Sequence, residues 1–219
     1  MSLLELKNVI KTFKRKRILH GVSLEADKGM IIGISGANGS GKTTILRLLA
    51  GLVYPDSGKV FVGNQQLQVG DIPQSVGVLL ETPVFINNRT AIDNLMLLAN
   101  IRGAIKQSDI EKWLLRFGLE EDKNLKVKTY SLGMNQRLGL IQAMMEKPEV
   151  LLLDEPTNAL DDYYKTIFYD TLLEAKANGT TAVIVSHDQI ELAKLCDRVY
   201  RIEEGRLSTK TAALESAGK

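Results

Sequence analysis

The 219-residue sequence predicts an α/β fold: a mixed sheet, antiparallel strands at its N-terminal end, and a helical insertion near the middle of the chain. Three observations predict it. Runs that are apolar throughout, such as "VLLLD" at 150–154 and "TAVIVS" at 181–186, suit strands buried on both faces of a parallel sheet. Helix-like runs at 41–50, 162–177 and 189–196 alternate with such strands. From about 90 to 147 the chain carries three helix-like stretches and no convincing strand.

Taken in order, "LLELKNVIK" from Leu3 and the stretch near 18–25 alternate apolar and polar residues, as antiparallel strands with one wet face do. Between them "KTFKRKR", 11–17, reads as a solvated hairpin tip. "MIIGIS" ending at Ser35, "KVFVG" ending at Gly63 and "VGVLL" ending at Leu80 read as strands. The helix-like runs of the insertion are 90–101, 108–117 and 131–145, and Ser108 with Glu111 reads as a capping box for the second. "RVYRIEEGRL", from Arg198, closes the series as strand. This divides the chain into an α/β core of 1–86 and 148–219 and a helical subdomain of about 87–147. The tail after about 210 leaves no room for an added regulatory domain.

Composition narrows the function. Hydrophobic residues make up 44% and charged residues 25%, an ordinary globular balance. A formal net charge of +2 implies no polyelectrolyte partner, so no nucleic acid is expected. Cys196 is the single cysteine, so no internal disulfide forms. No apolar run approaches the roughly 20 residues that cross a bilayer. A cytoplasmic protein is expected, with any membrane span supplied by another chain.

The chemistry gathers in two motifs. After the strand ending at Ser35, residues 36–43 read G-x-x-x-x-G-K-T, with Gly36, Gly41, Lys42 and Thr43 at the fixed positions. Glycines let the backbone of Gly36, Ala37, Asn38, Gly39, Ser40 and Gly41 turn its N–H groups onto phosphate oxygens, and the helix running on through Thr44 adds its positive end. Lys42 supplies a point charge to the outer phosphates, and Thr43 a hydroxyl for Mg²⁺. This is a P-loop NTPase core. The strand at 150–154 ends in Asp154 and Glu155. Asp154 beside the loop suits Mg²⁺, and Glu155 suits orienting or deprotonating an attacking water.

A third stretch, "YSLGMNQRLGL" at 130–140, puts a capping serine and a glycine at the mouth of a helix, where glycine costs roughly 0.5–1 kcal/mol against alanine. Something must approach that backbone closely.

With these motifs in order over nearly its whole length, the chain resembles the ATP-binding subunit of ATP-binding cassette (ABC) transporters. The family's signature loop, L-S-G-G-Q, reads here Tyr130-Ser131-Leu132-Gly133-Met134, keeping Ser131 and Gly133. The resemblance implies that those two hold the γ-phosphate of ATP bound to a second subunit, so the close visitor comes from another chain. It implies that Phe13 stacks on adenine and that His187 contacts the γ-phosphate, while His20 is structural. "NALD" at 158–161 resembles the S-A-L-D loop that crosses the dimer interface.

The family's glutamine beside Mg²⁺ and the attacking water falls on Glu81, counting back from "TAIDNL"; Gln74 in "DIPQ" lies seven residues too early and is read as a surface-loop decoy. "GVLLETPVF" resembles the bacitracin-exporter and lantibiotic-immunity branch, in which glutamate stands at this place. The resemblance therefore implies an ATPase on the inner face of the cell membrane. It would pair with a second ATP-binding subunit, as homodimer or heterodimer, and drive a multi-span permease exporting a peptide antibiotic or similar amphiphile. Lys42, Glu155 and His187 would be catalytic, and Thr43, Asp154 and Glu81 would serve Mg²⁺. Two other readings stay open: a non-transport ABC ATPase acting on nucleic acid or ribosomes, and a nucleotide-regulated binding subunit.

Overall fold

The computed structural model describes residues 2–210, so the tail beyond them lies outside the described residues. Strands β1 (Ser2–Phe13) and β2 (Lys16–Asp27) form an antiparallel hairpin. Lys14 and Arg15 turn it with φ of 45° and 69°, the left-handed pair that a two-residue hairpin loop requires. The basic run 11–17 is this tip, and Lys11 is held by Asp56 at 3.0 Å. Strands β4 (Ser57–Val62) and β5 (Gln65–Gln66) extend it to a four-stranded antiparallel sheet, β2-β1-β4-β5.

The second sheet is mixed. Strands β3 (Ile31–Gly36), β6 (Val76–Leu79), β7 (Val150–Asp154), β8 (Thr181–Val185) and β9 (Arg198–Glu203) run parallel. β10 (Arg206–Lys210) returns antiparallel, giving the order β10-β9-β3-β8-β7-β6. The run from Arg198 is thus two strands. Glu204 and Gly205, both with positive φ, turn it into a hairpin.

Both faces of this sheet are buried, which is why its central strands are apolar at every position. Leu151, Leu153, Ala182 and Ile184 enter one apolar cluster, shared with most of the helices. Val150, Leu152, Val183 and Val185 enter another, shared with helix α1 (Lys42–Leu49) and the inner face of the antiparallel sheet. Each such side chain removed from water contributes roughly 1.5–3 kcal/mol.

Between β6 and β7 lie three helices: α2 (Ala91–Arg102), α3 (Gln107–Arg116) and α4 (Leu132–Met144). Their buried Leu95, Leu114, Phe117, Leu138 and Ile141 join the first cluster, so the insertion shares that cluster with one face of the mixed sheet. α2 opens on a capping box: Asp93 N–H donates to Thr90 Oγ1 at 3.1 Å, and Thr90 N–H to Asp93 Oδ2 at 3.4 Å. α3 departs from expectation. Its cap is Lys106, whose N–H donates to Asp109, so Ser108 already lies inside the helix. The Glu111 carboxylate is engaged by Gln107 and Lys123 instead. The helix starts two residues earlier than the predicted box, with Asp109 at the third position accepting from its own cap, Lys106. Helices α5 (Asp162–Ala177) and α6 (Gln189–Leu195) are capped by Asp161 and Asp188. Among the described residues no helix is long and apolar enough to cross a membrane.

The segment after β6 is pinned by one buried amide. Asn94 Oδ1 accepts from Ile86 N–H at 2.8 Å, and its Nδ2 donates to Thr90 O at 2.8 Å and Ile86 O at 3.3 Å. Replacing Asn94 by Ala strands the Ile86 N–H, a loss of about 2 kcal/mol. Urea unfolding should show the midpoint falling with the slope unchanged.

Candidate functional site

The phosphate loop joins β3 to α1. At its end Gly41 has φ 112°, and a Cβ there would stand 2.8 Å from Leu19 Cδ2 on β2. Only glycine satisfies both the turn and the contact. Lys42 is buried, and its ammonium donates to Gly36 O at 2.8 Å and Ala37 O at 3.0 Å. Ser40 Oγ is buried with no hydrogen-bond partner. An orphaned hydroxyl beside a folded-back ammonium fits an anion that would draw on both.

Thr43 Oγ1 donates to Asp154 Oδ2 at 2.6 Å, tying α1 to the end of β7. Burial pushes the Asp154 carboxyl up from its usual value, and the Thr43 hydroxyl only partly offsets that. One hydroxyl and one buried carboxylate suit a Mg²⁺ ion that takes its remaining oxygens from phosphate and water. A free-standing metal site is a different thing, and no group of three or more His, Cys, Asp or Glu that could hold a metal occurs among the described residues.

Glu155 follows with φ 48°, and its N–H donates to Val185 O at 2.8 Å. Its Oε2 lies 2.8 Å from Nδ1 of His187, which stands just past β8 and is 70% exposed. Glu81, just past β6, has φ 56° and forms an ion pair with Arg47 of α1. With Ala159 at φ 61°, three non-glycine residues around one cavity are held in left-handed backbone. Such strain gathers where the surrounding structure over-determines a functional geometry.

The cavity is open and about 940 Å³ in volume. Phe13, Asn38, Gly39, Gly41, Lys42, Thr43, Thr44, Glu81, Asp154 and Glu155 all line it. Gly36, Ala37, Ser40 and His187 line an adjoining hollow on the other side of the loop. Gln74 is exposed and lines neither.

Ser131 and Gly133 are also outside these walls. Ser131 caps α4, its Oγ accepting from Met134 N–H at 3.2 Å, and faces solvent. Gly133 also has a close neighbour within its own chain. A Cβ there would lie 2.8 Å from Ala159 O, which by itself calls for a glycine at this position. The left-handed turn at Ala159 drives its carbonyl against the helix mouth.

Some side chains at the site went unnoticed in the sequence. Arg47 lies four residues after Thr43, hence on the same helical face, and that spacing was a usable signal. Gln136, 6% exposed, donates its amide to Glu155 O at 3.2 Å and Pro156 O at 3.0 Å. Behind His187, buried Glu191 accepts from Ser186 Oγ at 2.9 Å and Tyr169 OH at 3.1 Å. Those partners come from distant elements, and no local pattern announces them.

Residues 19–158 match the family described as ABC transporter. The chain belongs to the ABC transporter family. It is 39% identical over 208 residues to the ABC transporter ATP-binding protein YybJ of Bacillus subtilis, covering 94% of this chain and 95% of that one. It is 37% identical to the bacitracin transport ATP-binding protein BcrA of Enterococcus faecalis, over 93% of this chain and 67% of BcrA. With the lantibiotic transport ATP-binding protein SrtF of Streptococcus pyogenes it shares 33% identity, over 94% and 89%. Among solved structures, the ATP-binding subunit of an ABC transporter superposes with a TM-score of 0.88 at 25% identity, covering 96% of this chain and 90% of that one. The dimeric post-hydrolysis cassette MJ0796 bound to ADP and Pi gives 0.86 at 27%, covering 95% and 98%. ATP hydrolysis is the chemistry of this ABC cassette family, and the chain falls in the branch that includes BcrA and SrtF.

The buried Asp154 carboxylate makes a testable statement about the cassette. Its folded carboxyl titrates above the ordinary 3.8, so the protonated form favours the fold at low pH. That contribution is lost as pH rises through the folded value. Asp154→Asn should therefore raise the Tm of the nucleotide-free protein at pH 7. The gain should shrink towards pH 4, and Mg²⁺-dependent stabilisation by ATP should disappear. Differential scanning calorimetry across that range measures all three.

Proposed function

We propose that this chain is the ATP-hydrolysing subunit of a membrane exporter whose spanning permease is a separate chain, and that it works as a pair. The observation that carries this reading is a division in the site. Lys42, Thr43, Asp154, Glu155 and Glu81 surround one cavity, and the α4 mouth reaches its rim through Leu132, while exposed Ser131 and half-buried Gly133 are not among its lining. A helix N-terminus capped by an exposed serine is suited to phosphate on the Ser131 side. Its partner would be ATP held by a second copy or a homologue.

In that pair, Phe13, 39% exposed at the cavity edge, supplies a stacking face for adenine. The phosphate-loop N–H groups and Lys42 hold the phosphates. Mg²⁺, held by the Thr43 hydroxyl and Asp154, supplies charge neutralisation. Glu155 orients and deprotonates the attacking water, and His187, now against Glu155, turns to the γ-phosphate. Phosphoryl transfer to water needs positioning and electrostatic stabilisation above all. Glu81 stands near Asp154 and brings negative charge toward the phosphates; Arg47 offsets it.

The division into an α/β core and a helical subdomain of about 87–147 belongs to the same reading. Val84 and Ile101 are 89% and 77% exposed, with Ile86, Leu97 and Leu98 less so. These apolar residues, on the segment after Glu81 and on α2, offer a dock for the permease at the inner membrane face. Similarity to BcrA and SrtF supports a peptide antibiotic or similar amphiphile as cargo.

Glu155→Gln should retain Mg·ATP and accumulate a dimer on gel filtration, with turnover reduced at least a hundredfold. Parental turnover in that variant would remove Glu155 from its role. Glu81→Gln should keep nucleotide affinity within about threefold and change turnover only modestly. Abolished nucleotide binding there would take Glu81 out of this place in the site.

A further inference from the structure

The helix that carries Ser131 and Gly133 is fastened to the same chain's Glu155. Gln136 lies on α4, three residues past Gly133, and is buried. Both its bonds run to consecutive carbonyls, Glu155 O at 3.2 Å and Pro156 O at 3.0 Å. Its side chain cannot slide along this segment, because the backbone there is fixed on both sides. Glu155 N–H is held by Val185 O at 2.8 Å, and Asn158 N–H returns to Glu155 O at 3.1 Å. A second contact lies one helical turn nearer the mouth: Ala159 O lies so close to Gly133 that a Cβ there would meet it at 2.8 Å. The two left-handed residues, Glu155 and Ala159, bracket the clamped segment. Neither conformation is favourable for a side chain bearing a Cβ, and Gln136 is a tie that resists their relaxation.

We infer that Gln136 is a positioning residue that couples the helix mouth this chain would lend to a partner's nucleotide with the Glu155 carboxylate of the chain's own site. The inference rests on the paired reading of the preceding section. When Ser131 and Gly133 engage a phosphate, α4 is drawn toward it. The Gln136 amide carries that displacement to the backbone of Glu155. Hydrolysis in one site thus depends on engagement at the other, through a link inside a single chain.

Mixed dimers separate this from a purely structural role. Gln136→Met keeps volume and removes both donors. In the first dimer, one protomer carries Gln136→Met and its partner carries Glu155→Gln, so only the site with the Gln136→Met protomer's own Glu155 can turn over. In the second, both changes sit in one protomer, so only the site to which that protomer lends Ser131 and Gly133 can turn over. The expected result is a kcat at least tenfold below the matching control in the first dimer, with KM for Mg·ATP within twofold. In the second, kcat should stay within twofold of its control. The reverse pattern, or equal losses accompanied by a fall in Tm, would overturn the coupling by making Gln136 a support for the helix mouth or the fold. No loss in either dimer would overturn it too. Failure of Glu155→Gln alone to form an ATP-dependent dimer would instead bring down the paired reading.

Discussion

A single short hydrogen bond, Thr43 to Asp154 at 2.6 Å, joins the phosphate loop to the carboxylate pair at the end of β7. Lys42 and Thr43 sit on one of the two elements it connects, and Asp154 and Glu155 at the end of the other. β7 lies in the interior of the mixed sheet with apolar packing on both faces, so Asp154 has little freedom to move. α1 is buried between two sheets, so Thr43 has little more. The cost of this rigidity is a carboxylate held away from water, which burial drives toward its protonated form. A cation at that place relieves the cost.

Rigidity elsewhere at the site is stored as backbone strain. Glu81, Glu155 and Ala159 all take positive φ, and each is held by a specific tie: the Arg47 ion pair, the bond from Glu155 N–H to Val185 O, and packing against Gly133. The arrangement around His187 is different in kind. Its loop is braced from behind by Ser186, Glu191 and Tyr169, while its ring is exposed and held only by Glu155. The loop is thus firmly mounted while the exposed His187 ring rests on the Glu155 carboxylate.

Glu81 shows how a second carboxylate near Asp154 is accommodated. A second acidic group beside Asp154 would be unfavourable alone, because like charges raise each other's cost of ionisation. Arg47, one helical turn beyond Thr43, meets it at the cavity wall. The pair is partly exposed, so its stabilisation is modest.

The sequence alone determined the fold class, because burial on both faces forces a strand to be apolar throughout, and the helix-like runs between the strands locate the six helices. It also determined the phosphate loop and the Asp154–Glu155 pair, since glycine, lysine and acidic residues at fixed local spacing have few other uses. What it could not fix lay in contacts across distance. Ser108 and Glu111 satisfied a local capping rule, yet the helix begins two residues earlier, on Lys106 and Asp109. Gly133 marked a close approach in the sequence, and the fold adds a neighbour that the sequence did not name, Ala159 O. Arg47 on Glu81 and Gln136 on Glu155 and Pro156 arise only once α1, α4 and the sheet are packed. Local patterns record what a residue needs; only the tertiary structure decides which distant group supplies it, because that depends on how separate elements share one interior.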